Sequence, residues 1–211
     1  MSNSRVVLIS GSFEYDSEES LVILRDYLHA NAAMDCELLV FASEQDERSL
    51  AAIDTADAVL VFTRRMHTAG IELERFQQYC RDGRPIVGVR TASHAWQNWL
   101  EFDREVLGGN YEGHFGSGVT TKVEFAAESA EHPILQDIEA FDAHGSLYQN
   151  TPIAEDTQLL ATGEEGQHRE PVAWTCDRAG RAFYTSLGHQ HDFWELDFLR
   201  LVRNGLLWSL N

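Results

Sequence analysis

The chain has 211 residues, of which 44% are apolar and 24% charged, and its 16 Lys and Arg against 34 Asp and Glu give a formal net charge of −18. This acidic balance argues against nucleic acid and anionic membrane as partners, because both require basic protein surface. No apolar run approaches the roughly 20 residues of a membrane span, and we find neither a secretory signal nor a disulfide framework. We therefore expect a single cytoplasmic domain over residues 1–211.

The first half of the chain alternates apolar segments, which predict buried strands, with amphipathic segments, which predict helices. The predicted strands cover residues 5–10, 37–41, 56–62 and 85–89, and the predicted helices cover about 16–31, 46–53, 71–80 and a segment from Trp96 to Gly108-Gly109. Asp16 and Glu19 have capping-box spacing, and Gly83 is placed to cap the third helix. The alternation predicts a parallel, doubly wound sheet.

Beyond Gly109 the pattern changes to short strands separated by turn residues. Residues 119–125 alternate between apolar and polar, which predicts a half-exposed strand near an edge of the sheet. Three more short strands are predicted at 158–161, 171–175 and 181–186. An amphipathic helix is predicted from Phe193 to Leu210.

The most informative segment follows the fourth predicted strand. Residues 88–92, Gly-Val-Arg-Thr-Ala, resemble the G-x-nucleophile-x-G turn that α/β enzymes place between a strand and a helix. Arg90 occupies the apex, and a guanidinium that stays protonated cannot act as a nucleophile. The pattern therefore predicts an elbow without covalent chemistry, at the carboxyl end of the sheet where open α/β sheets bind ligands.

Polar residues collect in the loops that follow predicted strand ends. They are Glu14 and Tyr15 after the first strand, Arg64, Arg65 and His67 after the third, Thr91, Ser93 and His94 after Arg90, His114 after the double glycine, His144 in the loop 142–146, and His189 and His191 after the last strand. Because parallel strands end at one edge of a sheet, we expect several of these side chains to converge. For any single loop histidine, a solvated or locally hydrogen-bonded side chain is the alternative.

A metal site is a second alternative for the histidines. His189 and His191 alternate as on a strand and could share a face, but no H-E-x-x-H motif and no paired cysteines accompany them. We expect no cofactor, and leave a divalent metal such as zinc open. The glycine-rich run 108–118 follows a predicted helix rather than a strand, which argues against a dinucleotide cradle.

Several motifs resemble the ThuA-like (trehalose utilisation) family. They are VGVRTASHAW, LGGNYEGHFG, EHPIL, PVAWT, RAFYTSLGHQHDFW and FLRLVRNGLLW, together with a first loop, GSFEYDSEES, that is similar to the G-G-H-x-Y-H of the family. The resemblance implies a class I glutamine amidotransferase-like fold, a flavodoxin-like three-layer α/β arrangement with a mostly parallel sheet. Phe13 and Asp16 stand where family members often carry histidine, which argues against metal ligands at those positions.

The resemblance also implies where the site lies and what it does. Arg90 stands where amidotransferases carry the nucleophilic cysteine, His189 where they carry the catalytic histidine, and His191 where they carry glutamate. Glutaminase chemistry is excluded, because acyl-enzyme formation needs the thiolate. The family association implies a carbohydrate-active enzyme that hydrolyses or isomerises a sugar or keto-sugar in sugar catabolism.

In this reading Arg90, His189 and Glu14 are the catalytic candidates. Arg90 would hold a carbonyl or a developing oxyanion, and His189 would act as general acid or base. Glu14 would orient a histidine or share the proton transfer. The substrate-binding candidates are Tyr15, Thr91, His94, His114 and His144. The alternative is a non-catalytic sugar-binding or assembly module on the same scaffold, and a homo-oligomer is left open.

Overall fold

The computed structural model describes residues 3–118 and 120–211. The strands are β1 (Ser4–Gly11), β2 (Met34–Val40), β3 (Ala58–Thr63), β4 (Ile86–Val89), β5 (His114–Phe115), β6 (Thr120–Phe125), β7 (Asp142–His144), β8 (Leu147–Tyr148), β9 (Thr157–Glu165), β10 (His168–Cys176) and β11 (Ala182–Thr185). The α-helices are α1 (Ser17–Asn31), α2 (Gly70–Arg81) and α3 (Leu196–Leu210). Segments of 3-10 helix cover Phe13–Tyr15, Ala51–Thr55, Arg90–His94, Ala127–Ser129, Pro133–Leu135 and Gln190–Trp194.

Within the described residues, nine strands form one sheet in the order β2-β1-β3-β4-β11-β10-β9-β6-β7. The five strands from β2 to β11 run parallel, and the four from β10 to β7 extend the sheet in antiparallel fashion. β5 and β8 pair separately. Helices α1 and α3 cover one face and α2 covers the other. This mostly parallel, three-layer α/β arrangement confirms the predicted fold class.

The parallel strands are apolar throughout because both of their faces are covered. Along β1, Val6 and Leu8 pack into the core beneath α1 and α3, whereas Val7 and Ile9 pack into the core beneath α2. Alternate residues of a strand point to opposite faces, so a strand between two helical layers needs no polar positions. Because β1, β3, β4 and β11 run parallel, their carboxyl ends lie side by side at one edge of the sheet.

The helix predicted from Trp96 to Gly108-Gly109 is wrong. The chain forms a 3-10 helix at Arg90–His94, then turns, and then one turn of π-helix at Asp103–Leu107. Met66, in the loop after β3, forms two backbone hydrogen bonds with this segment. Its amide donates to the carbonyl of Ala95 (2.8 Å), and its carbonyl accepts from the amide of Gln97 (2.9 Å). These bonds occupy groups that a continuous helix would pair internally.

The predicted capping box at the start of α1 is also wrong. Asp16 has a left-handed backbone conformation (φ 44°), and its side chain makes no capping hydrogen bond. The hydroxyl of Ser17 instead accepts from the backbone amide of Ser12 at 2.9 Å and ties the first loop to the helix. At the end of α2, Gly83 has the left-handed conformation (φ 69°) that a C-terminal cap requires, as predicted.

Strands β9 and β10 extend beyond the predicted bounds of 158–161 and 171–175, whereas β11 is shorter than the predicted 181–186. β6 lies one strand from the edge and alternates in burial, as predicted, while Val119 lies outside the described residues. The predicted connection at 46–53 is a 3-10 segment at Ala51–Thr55, and the terminal helix begins at Leu196 after a separate 3-10 turn. Strands β5, β7 and β8 were not predicted. Among the described residues, no helix combines the length and the apolar character needed to cross a membrane.

Candidate active site

The predicted elbow lies at the end of β4. Arg90 has a left-handed backbone conformation (φ 48°), which costs a non-glycine residue on the order of 1–2 kcal/mol. Its carbonyl accepts a hydrogen bond from the hydroxyl of Tyr184 at 2.6 Å. The strained apex is therefore held by the neighbouring strand β11, and it directs the Arg90 side chain towards the carboxyl edge of the sheet.

The guanidinium of Arg90 is enclosed rather than exposed. The residue is 1% exposed, and its guanidinium carbon lies 4.5 Å from the ring centre of Tyr15 and 4.9 Å from that of Tyr148. It donates to the carbonyl of Ser186 at 3.0 Å and to the hydroxyl of Tyr15 at 3.3 Å. Gly145 closes the remaining side, since a Cβ there would stand 2.6 Å from Nη2. Arg90 thus places a buried positive charge next to the site.

A buried carboxylate fixes the orientation of His144. Asp192 is fully buried, and its Oδ1 lies 2.9 Å from Nδ1 of His144 and 2.7 Å from the backbone nitrogen of the same residue. Its Oδ2 accepts from the amides of Gly188 and His189, each at 3.0 Å. A carboxylate only accepts hydrogen bonds, so Nδ1 of His144 carries the proton. In neutral His144 the Nε2 atom is then an unprotonated base.

His189 has the opposite tautomer. Its Nδ1 accepts a hydrogen bond from the backbone amide of His191 at 3.3 Å, so the proton of the neutral ring lies on Nε2. Burial lowers the pKa of His189, and the positive charge of Arg90 lowers that pKa further. The rings of His144 and His189 are 6.1 Å apart. The site therefore pairs a histidine that can accept a proton with a neutral histidine that can donate a hydrogen bond.

His94 is the next candidate residue, and its ring packs against two tyrosines, Tyr111 and Tyr148. Its ring stacks on Tyr111 with centres 4.5 Å apart and lies 6.2 Å from the ring of Tyr148. Burial, followed by the charges of Arg64 and Arg65, lowers the pKa of His94 to about 3. A cavity of about 640 Å³ opens beside His94 and Tyr111. His94 consequently offers this cavity an uncharged, hydrogen-bonding ring.

The remaining predicted residues lie further from the histidine pair. Thr91 is buried, and its hydroxyl donates to Ser12 Oγ at 3.0 Å, which joins the elbow to the first loop. Glu14 is exposed and forms an ion pair with Arg64 at 3.0 Å. His114 is exposed on the small β5–β8 sheet, where its Nδ1 lies 3.0 Å from the carbonyl oxygen of Gly116. The structure thus brings Tyr15, Arg90, His144 and His189 together, with His94 adjacent.

Asp192 is the residue that sequence reasoning missed. The signal was present, because His189 and Asp192 have the spacing of a capping box, which the structure forms at the start of the 3-10 segment Gln190–Trp194. The predicted cluster therefore contains a carboxylate as well as histidines.

Across residues 3–118 and 120–211, no three His, Cys, Asp or Glu side chains are arranged to hold one ion. Nδ1 of His144 is bonded to Asp192 and Nδ1 of His189 to the amide of His191, so Nε2 is the nitrogen that each ring presents to a ligand.

Comparison with solved structures supports the fold. A ThuA-like protein from Parabacteroides merdae superposes with a TM-score of 0.81 at 19% identity, covering 99% of this chain and 90% of that chain. A ThuA-like protein from Bacteroides uniformis gives a TM-score of 0.77 at 16% identity, covering 98% and 91%. A protein described as a glutamine amidotransferase from Thermotoga maritima gives 0.53 at 15% identity, covering 99% and 96%.

Comparison with sequences identifies the family. A search of curated proteins finds no significant match. The family model described as ThuA, trehalose utilisation, matches residues 5–209. That range includes the elbow at Arg90, both histidines of the pair and Asp192. The chain therefore belongs to the ThuA (trehalose utilisation) family, on a glutamine amidotransferase-like α/β fold.

Proposed function

We propose that the protein is a carbohydrate-active enzyme that hydrolyses or isomerises a sugar or keto-sugar, with His144 as the base and neutral His189 as the hydrogen-bond donor to the developing oxyanion. The observation that carries this proposal is the pair of opposite tautomers, 6.1 Å apart, above a buried carboxylate. A purely structural cluster has no need for one histidine to present a base and its neighbour a hydrogen-bond donor. The ThuA family description favours a sugar as the substrate class.

The two histidines have different roles in the reaction. Nε2 of His144 takes a proton from a sugar hydroxyl, from a bound water or from a carbon next to a carbonyl group. Asp192 then stabilises the imidazolium that forms on His144, since it accepts the Nδ1 proton at 2.9 Å. Neutral His189 donates a hydrogen bond from Nε2 to the oxygen on which negative charge develops, and the imidazolium of His144 returns its proton to the product. In hydrolysis that oxygen belongs to the leaving group, and in isomerisation it belongs to the carbonyl.

Arg90 contributes through its charge. Its guanidinium is 1% exposed and touches Tyr15, Tyr148 and the segment around Gly145, so it acts from beneath the site. A fixed positive charge in a desolvated position lowers the energy of a developing oxyanion without reorganisation. After burial, this charge is the next cause of the lowered pKa of His189, which favours the neutral ring. Tyr15 and His94 are proposed to hold sugar hydroxyls at the rim, with His114, Thr91 and Glu14 in outer positions.

Glutamine hydrolysis is not part of the proposed activity. The elbow apex, where the fold would place a nucleophile, carries Arg90. Each of the three cysteines of the chain, Cys36, Cys80 and Cys176, has a pKa raised chiefly by burial. None of them lies at the elbow, so no thiolate is available to form an acyl-enzyme.

Proton NMR of purified protein with a panel of disaccharides and their 3-keto derivatives tests the proposal. We expect conversion of a keto-sugar by the wild-type protein, loss of about a hundredfold or more in His144→Ala and in His189→Ala, and partial recovery of His144→Ala by added imidazole. His29→Ala, on the exposed side of α1, is the matched control and retains full turnover. Saturable sugar binding without conversion would favour a non-catalytic sugar-binding module instead.

A further inference from the structure

A second, smaller cavity lies between the start of α1 and the 3-10 segment Gln190–Trp194. Its volume is about 180 Å³, and its walls include Trp194, Gln190 and His191 on one side and Asp16 and Glu19 on the other. Trp194 is 71% exposed, the highest exposure among the large apolar side chains of the described residues. A solvent-exposed indole beside a polar cavity is typical of a ligand-binding surface.

His191 connects this cavity to the histidine pair. Its ring lies 4.9 Å from that of His189 and 5.3 Å from that of His144. A molecule that occupies the cavity therefore lies one imidazole ring away from the reacting groups. That separation fits the next unit of a substrate whose first unit is held at His144 and His189.

The two carboxylates of the cavity are unengaged, whereas the hydroxyl of Ser20 donates to the carbonyl of Tyr15. In the described parts of the chain, the carboxylates of Asp16 and Glu19 form no ion pair. Their side chains are acceptors for the hydroxyl groups of a ligand, and charge-assisted bonds of this kind are the stronger ones. Gln190 adds both donors and an acceptor. An apolar ring beside hydroxyl-binding groups matches a pyranose, whose C–H face is apolar and whose edge carries hydroxyl groups.

Size and shape narrow the class of ligand. The cavity, at about 180 Å³, is much smaller than the cavity of about 640 Å³ beside His94, which favours a single ring as its occupant. An organic ammonium ion would also find carboxylates here. Recognition of such cations, however, uses a cage of several aromatic rings. Apart from His191, the only aromatic side chain that lines this cavity is Trp194.

We propose that this cavity is a sugar subsite in which Trp194 stacks on the unit adjacent to the reacting one, so that the substrate contains at least two sugar units. The proposal rests on the proposed function for the position of the reacting unit. It adds a specificity determinant: the protein distinguishes a disaccharide from a monosaccharide through Trp194, with Asp16, Glu19 and Gln190 binding the hydroxyl groups.

The test compares 3-keto-trehalose with 3-keto-glucose as substrates for wild type, Trp194→Ala, Trp194→Phe and Leu196→Ala. In Trp194→Ala we expect KM for the disaccharide to rise about tenfold more than KM for the monosaccharide, the scale of one lost aromatic contact. Trp194→Phe retains part of the preference. Leu196 follows Trp194 by two residues, is 49% exposed and is not among the residues that line the cavity, so Leu196→Ala is the matched control and keeps the wild-type preference. Equal effects on both substrates, or none, would overturn the subsite.

Binding separates this proposal from the proposed function. Saturation-transfer NMR with trehalose and with tetramethylammonium is measured on wild type and on Trp194→Ala. Trehalose contacts that disappear in Trp194→Ala support the subsite, even if the wild-type protein converts no sugar and the proposed reaction is thereby refuted. Trehalose contacts that persist in the variant, binding of the ammonium ion alone, or a dimer in gel filtration that dissociates in Trp194→Ala while sugar contacts are unchanged would each overturn it.

Discussion

Asp192 Oδ1 lies 2.9 Å from Nδ1 of His144, although 48 residues separate the two in the chain. The carboxylate is fully buried, and all of its observed hydrogen bonds come from the segment 188–189 and from His144. It thereby links strand β7 to the turn after β11, two elements that are not neighbours in the sheet. The consequence is chemical, because this single bond determines which nitrogen of His144 is basic.

The first prediction concerns Asp192→Asn. An amide at this position can donate to Nδ1 of His144, so the proton moves to Nε2 and the base is lost. We expect kcat to fall by about a hundredfold or more, in line with tautomer defects in acid–base sites, and the nitrogen-15 NMR signals of His144 to report protonation at Nε2.

Glu195→Gln provides the control for Asp192→Asn, since Glu195 is exposed three residues later and its side chain makes no capping bond. It should leave kcat and the His144 signals as they are in the wild type. An Asp192→Asn protein with wild-type kcat and an unchanged His144 tautomer would show that the carboxylate only stabilises the fold.

The second prediction concerns the charge of Arg90. Burial lowers the pKa of His189, and Arg90 is the next cause. Arg90→Met keeps an apolar stem between Tyr15 and Tyr148 and removes the charge. We expect the pKa of His189 to rise in this variant, measured from its ring proton shifts between pH 4 and 8.

The same change has a kinetic consequence. If His189 must be uncharged, its contribution to the acidic limb of the kcat/KM profile lies below the ordinary histidine value of about 6.5, and this contribution moves to higher pH in Arg90→Met. Arg104→Met, which removes an exposed arginine that is not among the causes of the shift, should leave both quantities unchanged. A fall in the pKa of His189 in Arg90→Met would contradict the assigned role of Arg90.

The third prediction is a pH dependence of stability that arises from His94. Burial, followed by Arg64 and Arg65, lowers its folded-state pKa to about 3, against about 6.5 in the unfolded chain. Below pH 6.5 the unfolded chain binds a proton at His94 that the folded protein does not bind. The free energy of unfolding therefore falls as the pH falls from about 6.5 towards 3, by roughly 2 kcal/mol between pH 6.5 and pH 5 from this group.

His94→Asn removes that contribution while keeping a polar side chain next to Ser93, whose hydroxyl lies 3.0 Å from Nδ1 of His94. Urea unfolding of both proteins at several pH values measures the difference. We expect the variant to lose less stability on acidification than the wild type. Parallel curves for the two proteins would mean that His94 is protonated in the folded state at these pH values.

Local patterns were sufficient to predict the form of the elbow and which side chains meet beside it. The elbow follows from one apolar strand and a five-residue turn, and the left-handed conformation of Arg90 confirms its form. The meeting of Tyr15, Arg90 and His189 follows from topology, because β1, β4 and β11 are parallel and end at the same edge. Such features depend on residues close in sequence or on a general rule for parallel sheets.

Features that depend on distant partners were not predictable in the same way. Trp96 begins a helical pattern of apolar residues, yet the loop residue Met66 pairs with the adjacent backbone and prevents a regular helix. Asp192 resembles any polar turn residue until His144 is placed against it. Tyr148 covers Arg90 from the two-residue strand β8, which is too short to carry a periodic signal.

The last prediction uses two glycines to measure how tightly the site is packed. Gly145 (φ 84°) and Gly166 (φ 60°) both have a left-handed conformation, so alanine is strained at either position, by on the order of 1–2 kcal/mol. The surroundings differ. A Cβ at Gly145 would stand 2.6 Å from Nη2 of Arg90 and 3.2 Å from Cδ2 of His189, whereas a Cβ at Gly166 would meet nothing within 4 Å. Gly166→Ala should therefore lose only the stability that the backbone strain costs, and it should keep full turnover.

Gly145→Ala should lose the same amount of stability to backbone strain. In addition, its Cβ should displace the Arg90 guanidinium or the His189 ring, which lowers the free energy of unfolding by a further roughly 1–3 kcal/mol. We expect it to be less stable than Gly166→Ala in urea unfolding and to convert the keto-sugar at least tenfold more slowly. Because conformational strain is common to both variants, the difference between them isolates the contact with Arg90 and His189. Equal stability and equal turnover would show that these two side chains have room to move, and that the rigid histidine pair on which the proposed reaction depends is not present in solution.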